Sequence, residues 1–318
     1  MRARSLTKVS SLGFILALTG ATAYAQPYAY VSNTLGNTVS VVNLATNAVT
    51  ANISISAGGL AGLAATPNGS YLYVAEQSQN SVAVVSTATN SVITTIPVGS
   101  GPVQVAVTPN GLSAYVVNQN SNNVSVINTA TNQVVATIPV GTKPIGIAVG
   151  PGSNKIFVSN LNSNNISVIS TATNTVTATW TSLAGPTGMA VNPNGKALYV
   201  ANQFANSVTV CNPSTGHIMS TVTGFTAPNS IAITPNGSQL YVTNGNQGTV
   251  SAVNPTTLQV TATMTIGLLP TSVAVAPTGT TAWVTAGYGY SLTAINTATN
   301  TIDLTISKVG IFPFGIAF

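Results

Sequence analysis

Few side chains in this sequence could carry out acid–base, nucleophilic or metal chemistry. Asp, Glu, Lys and Arg together make up 3% of the 318 residues, against roughly 25% in typical soluble domains. The acids are Glu76 and Asp303, the one histidine is His217 and the one cysteine is Cys211. General acid–base catalysis needs titratable groups held together, and metal ions need several His, Cys or carboxylate ligands. The sequence therefore predicts no catalytic residue, no cofactor-binding residue, no cofactor and no metal site.

The elements that would have to bring these residues together are short strands that repeat along the chain. A strand of the type Tyr-Val recurs with its aromatic residue at Tyr30, Tyr73, Tyr115, Phe157, Tyr199, Tyr241 and Trp283. The first step is 43 residues and the five that follow are 42 residues each. A period in the 40s, carried by β-rich segments, is typical of the blades of a β-propeller.

One repeat, residues 101–142, shows the pattern most clearly. It predicts strands over 103–107, 114–117, 124–127 and 134–138. Tight turns are indicated by Pro-Asn-Gly at 109–111 and Thr-Asn at 131–132, since Asn and Gly tolerate positive φ. The first strand is the most continuously apolar, and it is therefore expected to be covered on both faces.

The two ends of the chain complete each other. Full units run over 59–100, 101–142, 143–184, 185–226, 227–268 and 269–310, and an incomplete unit at the start lacks its first strand. The segment 312–318, Phe-Pro-Phe-Gly-Ile-Ala-Phe, matches Lys-Pro-Ile-Gly-Ile-Ala-Val at 143–149. We therefore predict an all-β protein, a seven-bladed β-propeller of four-stranded antiparallel blades over 26–318, with the C-terminal strand completing the N-terminal blade.

The N-terminal residues 1–25 have the three parts of a secretory signal peptide. Arg2, Arg4 and Lys8 precede the apolar segment 12–18, and Ala-Tyr-Ala at 23–25 forms the cleavage site. The apolar segment is too short to anchor the chain, so we expect no membrane span after cleavage and a secreted, periplasmic or cell-surface bacterial protein. The remaining lysines and acids leave a net charge of +2, which gives no support for nucleic-acid binding.

Propeller geometry separates the reactive residues. His217 falls in a turn between the third and fourth strands, Asp303 on an outermost strand and Glu76 at the end of a second strand, all in different blades. No Ser-His-acid triad or carboxylate pair can be assembled from them. Cys211 occupies an apolar strand position, where a buried small hydrophobe is expected.

The face that carries the loops between second and third strands, here called the top face, is the remaining candidate for binding. Its amides, hydroxyls and aromatic rings suit an uncharged glycan or a peptide, although Asn, Gly and Ser are also good loop formers. The candidate binding residues are Lys143, Phe204, Tyr288, Tyr290, Glu76 and Asn122. For Glu76 the alternative is a local hydrogen bond to its loop.

The chain resembles the YVTN-repeat family of β-propellers, which includes surface-layer-type and periplasmic proteins of bacteria. The resemblance is carried by Pro-Asn-Gly, Tyr-Val-x-Asn, Val-Ser-Val-Ile-Asn and Thr-Ala-Thr-Asn, and it extends from about residue 28 to residue 318. It implies the propeller fold, and similar propellers include lactonases. Many members carry Asp after the third strand, where this chain has Asn43, Asn128, Asn212, Asn254 and Asn296.

Two functions remain open at this point. The main expectation is an exported propeller that is not an enzyme and serves as a binding or cell-surface scaffold module for a protein or glycan partner. Self-association fits this expectation, because the outer strands carry almost no Lys or Glu to protect their edges. The alternative is a lactonase-like hydrolase that uses the top face.

Overall fold

The structure, a computed structural model, describes residues 28–55 and 58–318, and all regular secondary structure in them is β-strand. The strands form seven sheets of four antiparallel strands each. The predicted fold class, an all-β seven-bladed propeller, is confirmed.

The blades follow one another along the chain. Blade 1 begins with β1 (Tyr28–Asn33), β2 (Thr38–Asn43) and β3 (Ala48–Ser54). Blade 2 contains β4 (Leu60–Ala65), β5 (Tyr71–Glu76), β6 (Ser81–Ser86) and β7 (Ser91–Pro97). Blade 3 contains β8 (Pro102–Val107), β9 (Ser113–Asn118), β10 (Asn123–Asn128) and β11 (Gln133–Pro139). Blade 4 contains β12 (Pro144–Val149), β13 (Lys155–Asn160), β14 (Asn165–Ser170) and β15 (Thr175–Trp180).

The remaining blades repeat this order. Blade 5 contains β16 (Pro186–Val191), β17 (Leu198–Asn202), β18 (Ser207–Cys211) and β19 (Ile218–Thr223). Blade 6 contains β20 (Pro228–Ile233), β21 (Leu240–Asn244), β22 (Thr249–Val253) and β23 (Val260–Thr265). Blade 7 contains β24 (Pro270–Val275), β25 (Thr281–Ala286), β26 (Ser291–Asn296) and β27 (Thr301–Ser307), and β28 (Pro313–Ala317) returns to blade 1.

The ring is closed by β28, which supplies the missing innermost strand of blade 1. It pairs antiparallel with β1, with Tyr30 opposite Ala317 and Val31 opposite Ile316. The Ser32 hydroxyl accepts a hydrogen bond from the Gly315 amide at 2.9 Å and donates one to the Ala61 carbonyl of blade 2 at 2.6 Å. The closing strand is thus tied to its own blade and, through Ser32, to the next, which confirms closure by the C-terminal strand.

The core lies between the blades, on the two middle strands of each sheet. In blade 3, β9 and β10 are buried on both faces, and Tyr115 and Val126 pack with Ile156 of blade 4. The expectation that the innermost strand is the one covered on both faces is wrong. In β8, Gln104 and Ala106 are only half-buried, because one face of that strand lines the central channel.

The outermost strands face water. In β11 only Ile138 is buried, and Val134 and Val135 are exposed. These apolar side chains on unguarded edges agree with the composition argument for self-association, which stays a prediction.

The predicted turns form as expected from their residues. Gly111 adopts a φ of 72°, and its amide donates to the Thr108 carbonyl at 2.7 Å. Asn132 adopts a φ of 54°, and its amide donates to the Asn128 carbonyl at 2.8 Å. Both turns therefore depend on residues that tolerate the left-handed backbone region.

The same turns bond to the neighbouring blade through the tyrosines of the repeat. The Tyr73 hydroxyl donates to Asn132 Oδ1 at 2.7 Å, and the Tyr115 hydroxyl donates to Asn174 Oδ1 at 2.8 Å. Burial, and to a lesser extent the nearby Tyr71, raises the pKa of Tyr73 to about 12, and burial also raises the pKa of Tyr115. These phenols therefore keep their protons in the folded protein at pH values at which exposed phenols lose them.

The signal peptide predicted over residues 1–25 lies outside the described residues. Within the part of the chain that the structure describes, no helix is long and apolar enough to span a bilayer.

Removing the closing strand tests the ring. Deletion of residues 313–318 leaves β1 without its inner partner and exposes the apolar residues that pack against Ile316. The free energy of unfolding should fall by about 3 kcal/mol or more. At roughly 2–4 °C per kcal/mol, the melting temperature should fall by roughly 10 °C in a circular dichroism melt. Deletion of Phe318 alone, which lies beyond β28, is the control and should have a much smaller effect. An unchanged melting curve for the longer deletion would reject closure by this strand.

Alkaline pH should weaken the fold through the buried tyrosines. The pKa of Tyr73 rises from an ordinary value of 10.0 to about 12. Between these pH values the unfolded chain releases a proton that the folded chain retains, so the free energy of unfolding falls as pH rises. Urea unfolding at pH 8, 10 and 11 should show this loss, and Tyr73→Phe should reduce its slope while lowering stability slightly at pH 8. Equal slopes in the two proteins would contradict this assignment.

Candidate functional site

A cavity of about 290 Å³ lies where the central channel opens on the top face. All seven blades contribute to its wall, mainly through their innermost strands. The lining residues are Thr34, Leu60, Ala61, Gln77, Val103, Gln104, Gln119, Ile145, Gly146, Thr187, Gly188, Asn229, Ser230, Thr271, Phe312 and Phe314. All these side chains are uncharged, and the volume is near the lower end of the range for small-molecule sites.

The cavity exists because small residues stand at the third position of six of the seven innermost strands. That position holds Gly62, Gln104, Gly146, Gly188, Ser230, Ser272 and Gly315. A Cβ atom on Gly146 would collide with the Thr187 carbonyl oxygen, and one on Gly188 with the Asn229 carbonyl oxygen. Neighbouring innermost strands therefore approach too closely for side chains there, and backbone forms much of the wall.

Several polar groups in the wall already bond to neighbouring blades. The Thr187 hydroxyl donates to the Pro228 carbonyl at 3.1 Å, and the Thr271 hydroxyl donates to the Pro313 carbonyl at 2.9 Å. The Asn229 amide Nδ2 donates to the Thr271 carbonyl at 3.2 Å. These bonds hold the ring together, and they use the hydroxyl protons of Thr187 and Thr271 and one of the two Nδ2 protons of Asn229.

Three glutamine carboxamides at the cavity make no hydrogen bond to any described residue. They belong to Gln77 and Gln119, which follow the second strands of blades 2 and 3, and to Gln104 on β8; all three are half-buried. The backbone fixes the two loop glutamines, because their amides donate to the Gly59 and Gly101 carbonyls at 3.2 and 2.9 Å. A carboxamide donates and accepts hydrogen bonds, so this side of the cavity can bind a carbonyl oxygen or a hydroxyl.

The adjoining wall, formed by blade 1, is apolar. Phe312 and Phe314 both line the cavity and are half-buried. The Phe312 ring meets the Tyr288 ring edge to face, with centroids 5.2 Å apart. Phe312 is held in place because its carbonyl accepts a hydrogen bond from the Thr34 amide at 2.9 Å.

Two of the predicted binding residues, Lys143 and Asn122, lie side by side on the top face, where Lys143 precedes the innermost strand of blade 4. The Lys143 amide donates to Asn122 Oδ1 at 2.8 Å, and both side chains are exposed. Asn80 and Asn164 make the equivalent bonds to Gly101 and Gly185. Asn122 is therefore part of a repeated link between blades, and neither residue lines the cavity.

The three predicted aromatic residues are separated on the top face. Phe204, which is 62% exposed, lies over Gly185 in blade 5, while Tyr288 and Tyr290 lie in blade 7. Tyr288 reaches the cavity through its contact with Phe312. Binding by Phe204 and Tyr290 stays a prediction.

Glu76 does not reach the surface. Its side chain is 1% exposed, and Oε2 accepts a hydrogen bond from the Ser81 hydroxyl at 2.7 Å. Its other carboxylate oxygen is buried without a hydrogen-bond partner among the described residues. This is the local hydrogen bond that the sequence also allowed, and burial disfavours a role for Glu76 in surface binding.

The remaining reactive residues do not line the cavity. His217 and Asp303 are exposed, the first before β19 and the second on β27. Among the described residues there is no group of three or more His, Cys, Asp or Glu side chains that could hold a metal ion. Cys211 is buried, and burial raises its pKa to about 11.

The residues that dominate the cavity were not predicted from the sequence. Gln77 and Gln119 were only part of loops rich in amides, and Gln104, Phe312 and Phe314 were not singled out. A signal was available for Gln104, because it stands where the other six repeats have Gly or Ser. The sequence did not predict that Gln104 faces the channel, because the innermost strand was expected to be covered on both faces.

Comparison with known proteins identifies a family. The sequence model of the family described as "Lactonase, 7-bladed beta-propeller" matches residues 20–137 and 130–230. No curated protein sequence matches the chain significantly. The match does not test the resemblance to YVTN-repeat propellers, which stays a prediction.

Solved structures share the fold at low sequence identity. The hydrazine synthase of Kuenenia stuttgartiensis superposes with a TM-score of 0.79 at 21% identity, covering 90% of this chain and 99% of that chain. A protein of Bacteroides uniformis proposed to be a 6-phosphogluconolactonase gives 0.76 at 16% identity, covering 92% and 99%. One of Bacteroides fragilis, proposed to have the same activity, gives 0.77 at 15% identity, covering 93% and 98%.

The family match corrects one expectation. The prediction that the chain is not an enzyme is wrong, because the matching family is one of lactonases, which are hydrolases. The sequence argument required titratable side chains gathered at one place. Opening a cyclic ester also depends on orientation and on donors aimed at the developing oxyanion, which neutral amides can supply.

The buried cysteine gives a test of the core in blade 5. Cys211 is 2% exposed, and its pKa near 11 leaves almost no thiolate at neutral pH. A thiol reagent such as dithionitrobenzoate should therefore not react with the folded protein at pH 7.5 and should react with one thiol per chain in denaturant. Fast reaction of the folded protein would show that this part of the blade opens.

Proposed function

The chain belongs to the lactonase family of seven-bladed β-propellers, and from this premise we propose that it hydrolyses a lactone bound in the channel-mouth cavity. In this reaction water adds to the lactone carbonyl, the ring C–O bond breaks, and the product is a hydroxy acid. Two structural neighbours are proposed to be 6-phosphogluconolactonases, which supports the reaction class.

The observation that carries the proposal is the set of three unengaged carboxamides, those of Gln77, Gln104 and Gln119. Negative charge develops on the carbonyl oxygen when water adds. Side-chain amide N–H groups can stabilise that charge, as the donors of an oxyanion hole do. The Thr187, Asn229 and Thr271 side chains bond to neighbouring blades, and Ser230 accepts a hydrogen bond from the Val273 amide. The three glutamines and the buried Thr34 hydroxyl are therefore the polar side chains of the wall without a partner among the described residues.

Orientation supplies the second part of the mechanism. The cavity is lined by all seven blades and sits on a ring that cannot open without breaking strand pairing. A lactone held there presents its carbonyl to the amides and to water from the open mouth. Because no described residue with a titratable side chain lines the cavity, we expect hydroxide or water to act as the nucleophile without a general base from the wall.

A panel of lactones tests the proposal. We expect proton release with γ-lactones above the uncatalysed rate, and Gln104→Leu should lower kcat by roughly 10²-fold, the usual effect of removing one oxyanion donor. Gln247→Leu is the control for the change from Gln to Leu. Gln247 is exposed in the loop between the second and third strands of blade 6 and does not line the cavity. The rate should rise steadily from pH 6 to 9.

Two results would count against this mechanism. Equal rates in Gln104→Leu and the wild type would remove the carboxamides from it. A bell-shaped pH profile would reveal a titratable group acting in the reaction. Thermal melts of both variants should confirm that each remains folded.

A further inference from the structure

We propose that the substrate of this cavity is an uncharged lactone with an apolar chain, and not a phosphorylated sugar lactone. This inference rests on the proposed function and specifies its substrate class. It draws on two features of the site, the charge of its wall and an apolar track that leads out of it.

The wall offers no charge to a phosphate group. All residues that line the cavity are uncharged. A phosphate is bound in proteins by Arg or Lys, or by the N-terminus of a helix. The described lysines lie outside the lining, and the described regular structure is entirely β-strand, so no helix terminus points at the cavity. Neutral carboxamides would compensate only part of the hydration that a dianionic substrate loses here.

An apolar track leads from the cavity to the rim of the top face. It begins with Phe314 and Phe312 in the wall and continues to Tyr288, whose ring contacts Phe312. Ile311, which precedes Phe312 in the chain, and Leu35 add exposed apolar side chains nearby; they are 55% and 65% exposed. These two are neighbours, since the Leu35 amide donates to the Ile311 carbonyl at 3.2 Å.

The track adjoins the polar side of the cavity, because blade 1 neighbours blade 2. A ligand with a carbonyl at one end and an alkyl chain at the other can therefore satisfy both sides at once. Its ring would lie at Gln77 and Gln104, and its chain would cover Phe314 and Phe312. Each methylene transferred from water to such a surface improves binding about fourfold when fully buried.

The backbone at Phe312 makes a clean variant available. Phe312 has a φ of 60°, and the equivalent residues Gly59, Gly101 and Gly185 have φ values of 62°, 64° and 62°. Phe312→Gly thus gives blade 1 the residue that three other blades carry in the same conformation. The variant removes the ring of the track that contacts Tyr288, and it does not strain the chain.

The experiment compares a series of γ-lactones with alkyl chains of one, four and six carbons, together with glucono-δ-lactone and 6-phosphoglucono-δ-lactone. We expect kcat/KM to rise about two- to fourfold per methylene along the alkyl series, and the phosphorylated lactone to be hydrolysed no faster than its unphosphorylated form. Phe312→Gly should flatten the chain-length dependence. Leu268→Ala, which removes a 70% exposed top-face side chain that does not line the cavity, should leave it unchanged. A preference for the phosphorylated lactone, or no dependence on chain length, would overturn the inference.

Binding separates this inference from the proposed function. The 5-alkyl-2-pyrrolidinones have the same ring shape as the γ-lactones and resist hydrolysis, so calorimetry measures their affinity whether or not the protein turns over lactones. Affinity that rises with chain length and is lost in Phe312→Gly supports the substrate class even if no lactone is hydrolysed. Absence of binding, or affinity independent of the chain, rejects it.

Discussion

The pairing of β28 with β1 is the constraint on which the rest of the structure depends. A blade buries its two faces only against its neighbours, so an open ring would leave two sheets with one apolar face in water. The pairing brings residues distant in sequence together, and Ser32 extends it by a hydrogen bond to the next blade. The cavity depends on the same closure. Its apolar wall is made of Phe312 and Phe314, at the closing strand, while its amides come from blades 2 and 3.

The repeat made the fold predictable. Seven blades were predicted from the tyrosine spacing and the Pro-Asn-Gly turns. Their closure was predicted because the C-terminal segment matches the strand that the first repeat lacks. The burial of individual strands was less predictable. The apolar residues of the innermost strand predicted that this strand is covered on both faces. In the structure, however, β8 is covered on one face only. In a ring of tilted sheets the two middle strands have neighbours on both sides, and the innermost strand has the channel.

The site could be predicted only in outline. Loop residues of the top face were chosen for their chemistry, but chemistry alone does not distinguish a residue that bonds to the next blade from one that is free. Asn122 is engaged by Lys143, and Glu76 is buried against Ser81. The glutamines that remain unengaged are ordinary members of a sequence rich in amides. A count of acids and histidines was the wrong criterion for activity, since a lactone carbonyl can be polarised by neutral donors.

The left-handed backbone at the residue before each innermost strand has a wider consequence. Across the ring this position holds Gly59, Gly101, Lys143, Gly185, Ala227, Leu269 and Phe312, with φ between 46° and 64°. The surrounding hydrogen bonds thus keep this conformation in every blade. The side chain differs between blades and is absent in glycine, cationic in lysine, aliphatic in alanine and leucine, and aromatic in phenylalanine. The propeller therefore has seven equivalent positions around its mouth that accept different side chains. Ligand preference can change by substitution at one of these positions while the fold stays the same.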